Sequence, residues 1–167
     1  MIPADRHLHI GSILFDGLDQ IDFTGPFEVL SRIPNSTLHV AGKTTAPVRD
    51  TRGLTLVPDK TFAEVPKLDV LHVPGGPGQE ALMEDEETLA FIRRQAEGAL
   101  FVFSVCSGAL VCGAAGLLKG RRATTHWAPE RAPAAVVAAA REMFAPITAR
   151  RLETARRVGG RLGLTAS

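Results

Sequence analysis

Cysteine is scarce in this chain: of 167 residues only Cys106 and Cys112 carry a thiol. Their x5 spacing matches neither a CxxC redox pair nor a zinc knuckle, and nothing about the pair indicates a disulfide framework. Long apolar runs are missing too. Gly, Ser or a charged residue interrupts every hydrophobic stretch well before the roughly 18 residues a membrane span requires. The opening MIPADRHLHI has no secretory h-region. A soluble, cytoplasmic protein with no membrane partner is therefore expected. There is no GxGxxG, no GK[ST] and no GxSxG, and no internal repeat, which argues against a nucleotide site, a serine nucleophile and a solenoid.

What is present is enough apolar surface for one sizeable core, since 45% of the residues are hydrophobic. The formal net charge of +1 conceals an asymmetry. Residues 1–120 carry 10 basic and 15 acidic groups, whereas 121–167 carry 9 Arg and 3 Glu. The basic tail keeps a polyanion partner conceivable. Residues 133–167 are too short and too Ala-rich for a paired helix-turn-helix, so nucleic acid is not expected.

Four short β-rich runs recur: LHIGSILF (8–15), TLHVAG (37–42), LDVLHVPGG (68–76) and LFVFSV (100–105). Helical patterns lie between them, which predicts a parallel α/β sheet covered on both faces. TGPFEVLSRI reads as a helix with Thr24 as N-cap, Pro26 in the first turn and Phe27, Val29, Leu30 and Ile33 as its apolar set. MEDEETLAFIRRQAEG has acids first, Arg93 and Arg94 late and Gly98 as a stop. PVRDTRGLTLVPDKTF reads as a short hairpin or excursion between sheet strands. The expected organisation is an α/β domain over 1–132 and a helical, Arg-rich tail over 133–167, exposed or facing a second copy.

Ligands bind outside the carboxyl ends of strands in such sheets, so the residues just after each strand carry the chemistry. After the first come Asp16, Asp19 and Asp22; after the third, Pro74-Gly75-Gly76-Pro77-Gly78; after the fourth, Cys106-Ser107-Gly108. A thiol on a sharp strand-to-helix turn is lifted clear of the sheet, and a helix N-terminus favours its thiolate. The other reading of Cys106 is a small buried hydrophobe, which is also the expectation for Cys112. Asp22, between Ile21 and Phe23, is either a first-turn acid held by backbone amides or a desolvated carboxyl able to pass a proton to and from the thiol. Asp16 and Asp19 read as solvated. His126 in ATTHW reads as a base for Cys106 or as a polar group at a strand end. His7 and His9 share a strand face, but no third ligand is near, so no metal is expected.

With these residues in view, the chain resembles the isonitrile hydratase branch of the ThiJ/PfpI superfamily. The carrying strings are ILFDGLDQIDFTGPFEVL, LDVLHVPGGPG, ALMEDEETLAFIRRQA and SVCSGALVCGAAGLLKGRRATTHW. The resemblance implies a flavodoxin-like, class I glutamine amidotransferase-like sheet sandwiched by helices. It places the nucleophile on Cys106 and the essential acid on Asp22, and gives Gly75, Gly76 and Ser107 the task of positioning substrate and steadying charge. The activity it implies is hydration of isocyanides to N-substituted formamides through a thioimidate, with a small-molecule substrate, no cofactor and a homodimer. Two other functions fit the same strings: a glyoxalase or deglycase-like enzyme, and a non-catalytic sensing domain like that of AraC-type regulators. Such proteins continue after HWAPE with another strand, a Gly-rich segment and a long helix. Here APAAVVAAAREMF, similar to the family's C-terminal end, follows almost at once, so an internal block is expected to be missing and the sheet to be incomplete at its C-terminal part.

Overall fold

The computed structural model describes residues 5–126, so the expected tail over 133–167 lies outside the described residues. The element order begins β1 (Leu8–Ile13), α1 (Gln20–Leu30), β2 (Ser36–Gly42), β3 (Val48–Arg49), β4 (Thr55–Leu56) and β5 (Lys60–Thr61). It continues β6 (Val70–Val73), α2 (Gln79–Leu82), α3 (Glu86–Ala96), β7 (Phe101–Ser104) and α4 (Gly108–Ala114). All four β-rich runs form strands. The segment between β2 and β6 supplies an antiparallel hairpin, β3–β4, and then β5, which rejoins the main sheet.

The main sheet is parallel throughout, in the order β5-β2-β1-β6-β7, with Ile10 of β1 set between Leu38 and Val70. From β1 the chain travels to β2 on one side, then re-enters at β6 on the other side and moves on to β7. Parallel crossovers are right-handed, so these opposite directions of travel put α1 on one face and α2 and α3 on the other. Helix α4 packs on α2 and α3 and shares their face. This is the flavodoxin-like arrangement, and it opens a crevice beyond the carboxyl ends of β1 and β6 where the strand order reverses.

Burial follows from the two-sided cover. All four residues of β6 are buried. Helix α3 turns Leu89, Phe91 and Ile92 inward, and Phe91 stacks on Phe62 at 4.2 Å. Gln95 is buried on the same face because its amide accepts from the Leu68 N–H and donates to the Pro66 carbonyl. Edge strand β7 contrasts with β6: Phe101 and Val102 are 59% and 37% exposed. It is the last strand of the sheet among the described residues.

Helix α1 departs from the sequence expectation. It starts at Gln20 with Asp19 at the N-cap, so Thr24 and Pro26 lie inside it. Pro26 lacks the N–H that would reach the carbonyl of Asp22, while the Thr24 hydroxyl donates back to the Gln20 carbonyl at 2.9 Å. The buried stripe also differs from the expected one: Phe23 is buried and stacks on Phe27, and Val29, expected inside, is 68% exposed.

Two histidine arrangements also emerged from the packing. His9 pairs across strands with His39, Nδ1 to Nε2 at 3.1 Å, while His7 is held by Asn35 and Thr37. Among the described residues no set of three candidate ligands is grouped to hold a metal ion. His72 of β6 is fully buried, with its Nδ1 2.7 Å from the Ser12 hydroxyl, its ring stacked on Phe103, and Nε2 left without a partner. Burial pushes its pKa down to about 4.

Candidate active site

Three loops meet at the crevice. The loop after β1 and the glycine loop after β6 are joined by backbone bonds: the Asp19 N–H donates to the Gly75 carbonyl at 2.9 Å, and the Gly78 N–H to the Gly17 carbonyl at 3.0 Å. Gly76 has φ +129°, and a Cβ there would lie 2.3 Å from the Asp19 nitrogen, so the contact between the loops requires glycine. The third loop is the turn from β7 into α4. The Val105 N–H still pairs with the Val73 carbonyl, and the Gly108 N–H closes on the Val105 carbonyl at 2.9 Å. Between them Cys106 takes φ +53°, the left-handed region that non-glycine residues seldom enter. That left-handed residue makes the turn from strand to helix a sharp elbow.

Gly75 marks the gap in which the loops face each other. A Cβ added there would lie 2.8 Å from Asp22 Oδ2, 2.8 Å from Ser107 Oγ and 2.7 Å from the Ser107 nitrogen. The first-turn carboxyl of α1 therefore approaches the elbow across a residue with no side chain. Asp22 Oδ2 is buried with no hydrogen-bond partner of ordinary geometry, so the carboxylate is not capped by the amides of its own helix.

Burial governs both titrating groups. It raises the Asp22 carboxyl above its usual range; the Cys106 thiol and the Gly75 N–H pull the other way, and the negative charge of Asp19 adds to the rise. Burial also raises the Cys106 thiol, and the Asp22 charge pushes it further up, against the Ser107 N–H and hydroxyl, which favour the thiolate. The lowering that a helix N-terminus alone predicts is thus reversed: α4 is short, and removal from water outweighs it. Carboxyl and thiol each retain their proton to higher pH than they would in water.

The Gly76 N–H donates to Ser107 Oγ at 3.0 Å, so in this arrangement it serves the hydroxyl. The Cys106 carbonyl accepts from the Thr125 hydroxyl at 3.1 Å and from the His126 N–H at 3.3 Å. A positive charge on His126 favours the ionised form of Asp22. Asp16 is exposed and accepts the Arg49 N–H, away from the pair. Cys112 is packed inside α4, 3% exposed, its thiol pushed up to about 12. One neighbour had no sequence signature: Gln79 of α2, buried directly against Ser107 and Gly76.

A cavity of about 580 Å³ opens between the segments that follow β1 and β2 and helix α2, beside Asp16 and Gly78, with Phe15, Lys43, Phe62 and Leu82 in its wall. Asp22, Cys106 and Ser107 do not line it.

Comparison with known proteins places this geometry. The chain is 54% identical over 121 residues to isonitrile hydratase of Pseudomonas putida, covering 72% of this chain and 53% of that one, so it spans about half the length of that relative. It is 30% identical over 89 residues to a glutathione-independent glyoxalase of Caenorhabditis elegans, covering 52% of this chain and 47% of that one. Among solved structures it superposes on a ThiJ/PfpI family protein from Pseudomonas syringae with TM-score 0.72 and 38% identity, covering 74% of this chain and 52% of that one. The model of the DJ-1/PfpI family matches residues 9–162. With its parallel sheet and its cysteine at the strand-to-helix elbow, the chain belongs to the DJ-1/PfpI family.

Proposed function

We propose that this protein hydrates isocyanides to N-substituted formamides, with Cys106 as nucleophile and Asp22 as the group that moves protons. The observation that carries the reading is the buried Asp22 carboxyl set beside a thiol on a left-handed turn. The 54% identity to an isonitrile hydratase supports the choice of electrophile.

In the first step the Cys106 sulfur bonds to the terminal carbon of R–N≡C while a proton held between thiol and carboxyl passes to that carbon, giving the thioimidate R–N=CH–S–Cys106. Water then adds to the same carbon, with Asp22 accepting one of its protons. The carbon–sulfur bond breaks, the nitrogen gains a proton, R–NH–CHO departs and the thiol is restored. The Ser107 N–H and hydroxyl steady the negative charge on sulfur before attack and after release. The Gly76 N–H acts through the Ser107 hydroxyl it binds, and Gly75 leaves room for carboxyl and elbow to meet. Because Asp22 is desolvated, it holds a transferable proton at a higher pH than a surface carboxylate.

The test is turnover of p-nitrophenyl isocyanide by the full chain, followed as formamide by mass, with intact-mass capture of the adduct on Cys106. Formamide from the wild type and none from Cys106→Ala supports the reading; equal turnover by both proteins removes it. A glyoxalase reading uses the same thiol and is supported by the nematode relative. Methylglyoxal offered in parallel separates the two.

A further inference from the structure

We propose that Gln79 is a positioning residue that aims the Ser107 hydroxyl at the Cys106 sulfur. Ser107 is the N-cap residue of α4, yet its side chain makes no capping bond to the helix. An N-cap serine ordinarily gives its oxygen to a first-turn amide. Here the oxygen is diverted toward the glycine loop, where it accepts the Gly76 N–H at 3.0 Å.

Gln79 lies on the other side of that hydroxyl. The groups around its amide are the Ser107 hydroxyl oxygen and the carbonyl oxygens of Ser107 and Gly76, the two carbonyls each 3.2 Å away, so the nitrogen faces them and donates. A hydroxyl oxygen has two lone pairs and one proton. With Gly76 and Gln79 donating into it, Ser107 Oγ has no acceptor capacity left, and its own proton must point away from both. The second Gln79 N–H is left for one of the two carbonyls. The acceptor it meets on the elbow is the Cys106 sulfur, whose thiolate the Ser107 hydroxyl favours.

The burial of Gln79 has the same explanation. It is 6% exposed on a four-residue helix, and a buried amide is costly unless bonded. Its bonding partners here belong to the elbow and the glycine loop, so what holds the amide in place is the site. The chain of donors runs Gln79 to Ser107 to Cys106, without Gln79 touching the reacting sulfur.

This inference rests on Cys106 being the reactive thiol and is independent of which electrophile it takes. The readout is therefore the pH profile of Cys106 alkylation by iodoacetamide, followed by intact mass on the full chain, with buried Cys112 as the internal unreactive thiol. Gln79→Met keeps the length and loses the donors. Its alkylation at fixed pH near 8 is expected to slow about threefold to tenfold, with the profile moved up by roughly half to one pH unit. In a Ser107→Ala background the same substitution should produce no further shift, because the hydroxyl it acts through is gone. An unmoved profile in folded Gln79→Met overturns the proposal, as does an equal shift in both backgrounds, which would mark a packing role. If Gln79→Met does not fold, Gln79→Asn, which keeps an amide but withdraws it from Ser107, is read in the same two backgrounds. Failure of the isocyanide assay with an intact Gln79–Ser107 coupling would leave this inference standing and remove only the substrate.

Discussion

Cys106 and Cys112 are six residues apart, and the fold treats them in opposite ways. Cys112 sits inside α4 with its thiol pushed up to about 12, where it acts as a small apolar filler. Cys106 is also raised by burial, but it stands half-open on a left-handed turn, with a carboxyl and two Ser107 donors bearing on its proton. The difference is one of neighbours: the Cys106 thiol shares its surroundings with a carboxyl and Ser107, whereas the Cys112 thiol has only the Ser104 hydroxyl beside it.

The strongest test of that contrast removes each sulfur in turn. Cys106→Ser is expected to lose isocyanide turnover by about three orders of magnitude or more, and iodoacetamide should then label neither position in the folded protein. Cys112→Ala should leave labelling of Cys106 unchanged. Fast labelling of Cys112 in folded Cys106→Ser would break the comparison.

His72 sharpens it next, as a buried group with no proton-exchanging partner at Nε2. Its pKa falls from 6.5 to about 4 on folding. Between these values the unfolded chain binds more protons than the folded one, so stability is lost as pH drops through that window, by up to about 3 kcal/mol. Urea midpoints at pH 7 and pH 4.5 should differ markedly in the wild type. The difference should shrink in His72→Gln, and an equal pH response in both proteins would show that His72 is not its source.

Gly75→Ala probes the gap between carboxyl and elbow. A Cβ under 3.0 Å from Asp22 Oδ2 and from Ser107 forces the loops apart, at a cost of about 1–3 kcal/mol, read as a fall in Tm together with a changed alkylation profile. Asp22→Asn keeps the packing and changes the charge. It removes the negative charge that raises the Cys106 thiol, so the alkylation profile should move down in pH by about one unit while isocyanide turnover is lost. An upward move would contradict the assigned direction of coupling.

Much of this was legible in the chain itself. Runs rich in Val, Ile, Leu and Phe marked the four main strands, and the elbow and Asp22 stand where strand ends meet helices. The start of α1 was misread because Thr24 and Pro26 imitate a helix beginning, a local signal overridden when Phe23 and Phe27 anchor the helix from Gln20 onward. Strand β5 has two residues and owes its existence to pairing with Ala41 and Gly42, which no local pattern encodes. The direction of the Cys106 shift depends on burial created by three separate loops. Gln79 resembles any helical glutamine until the fold sets its amide against Ser107.

The left-handed backbone at residue 106 has a consequence for engineering. A side chain there costs on the order of 1 kcal/mol relative to glycine, so Cys106→Gly should melt later than the parent while being chemically inert. Selection for heat tolerance alone would therefore discard the sulfur, and any library built to harden this protein has to be screened for thiol reactivity at the same time.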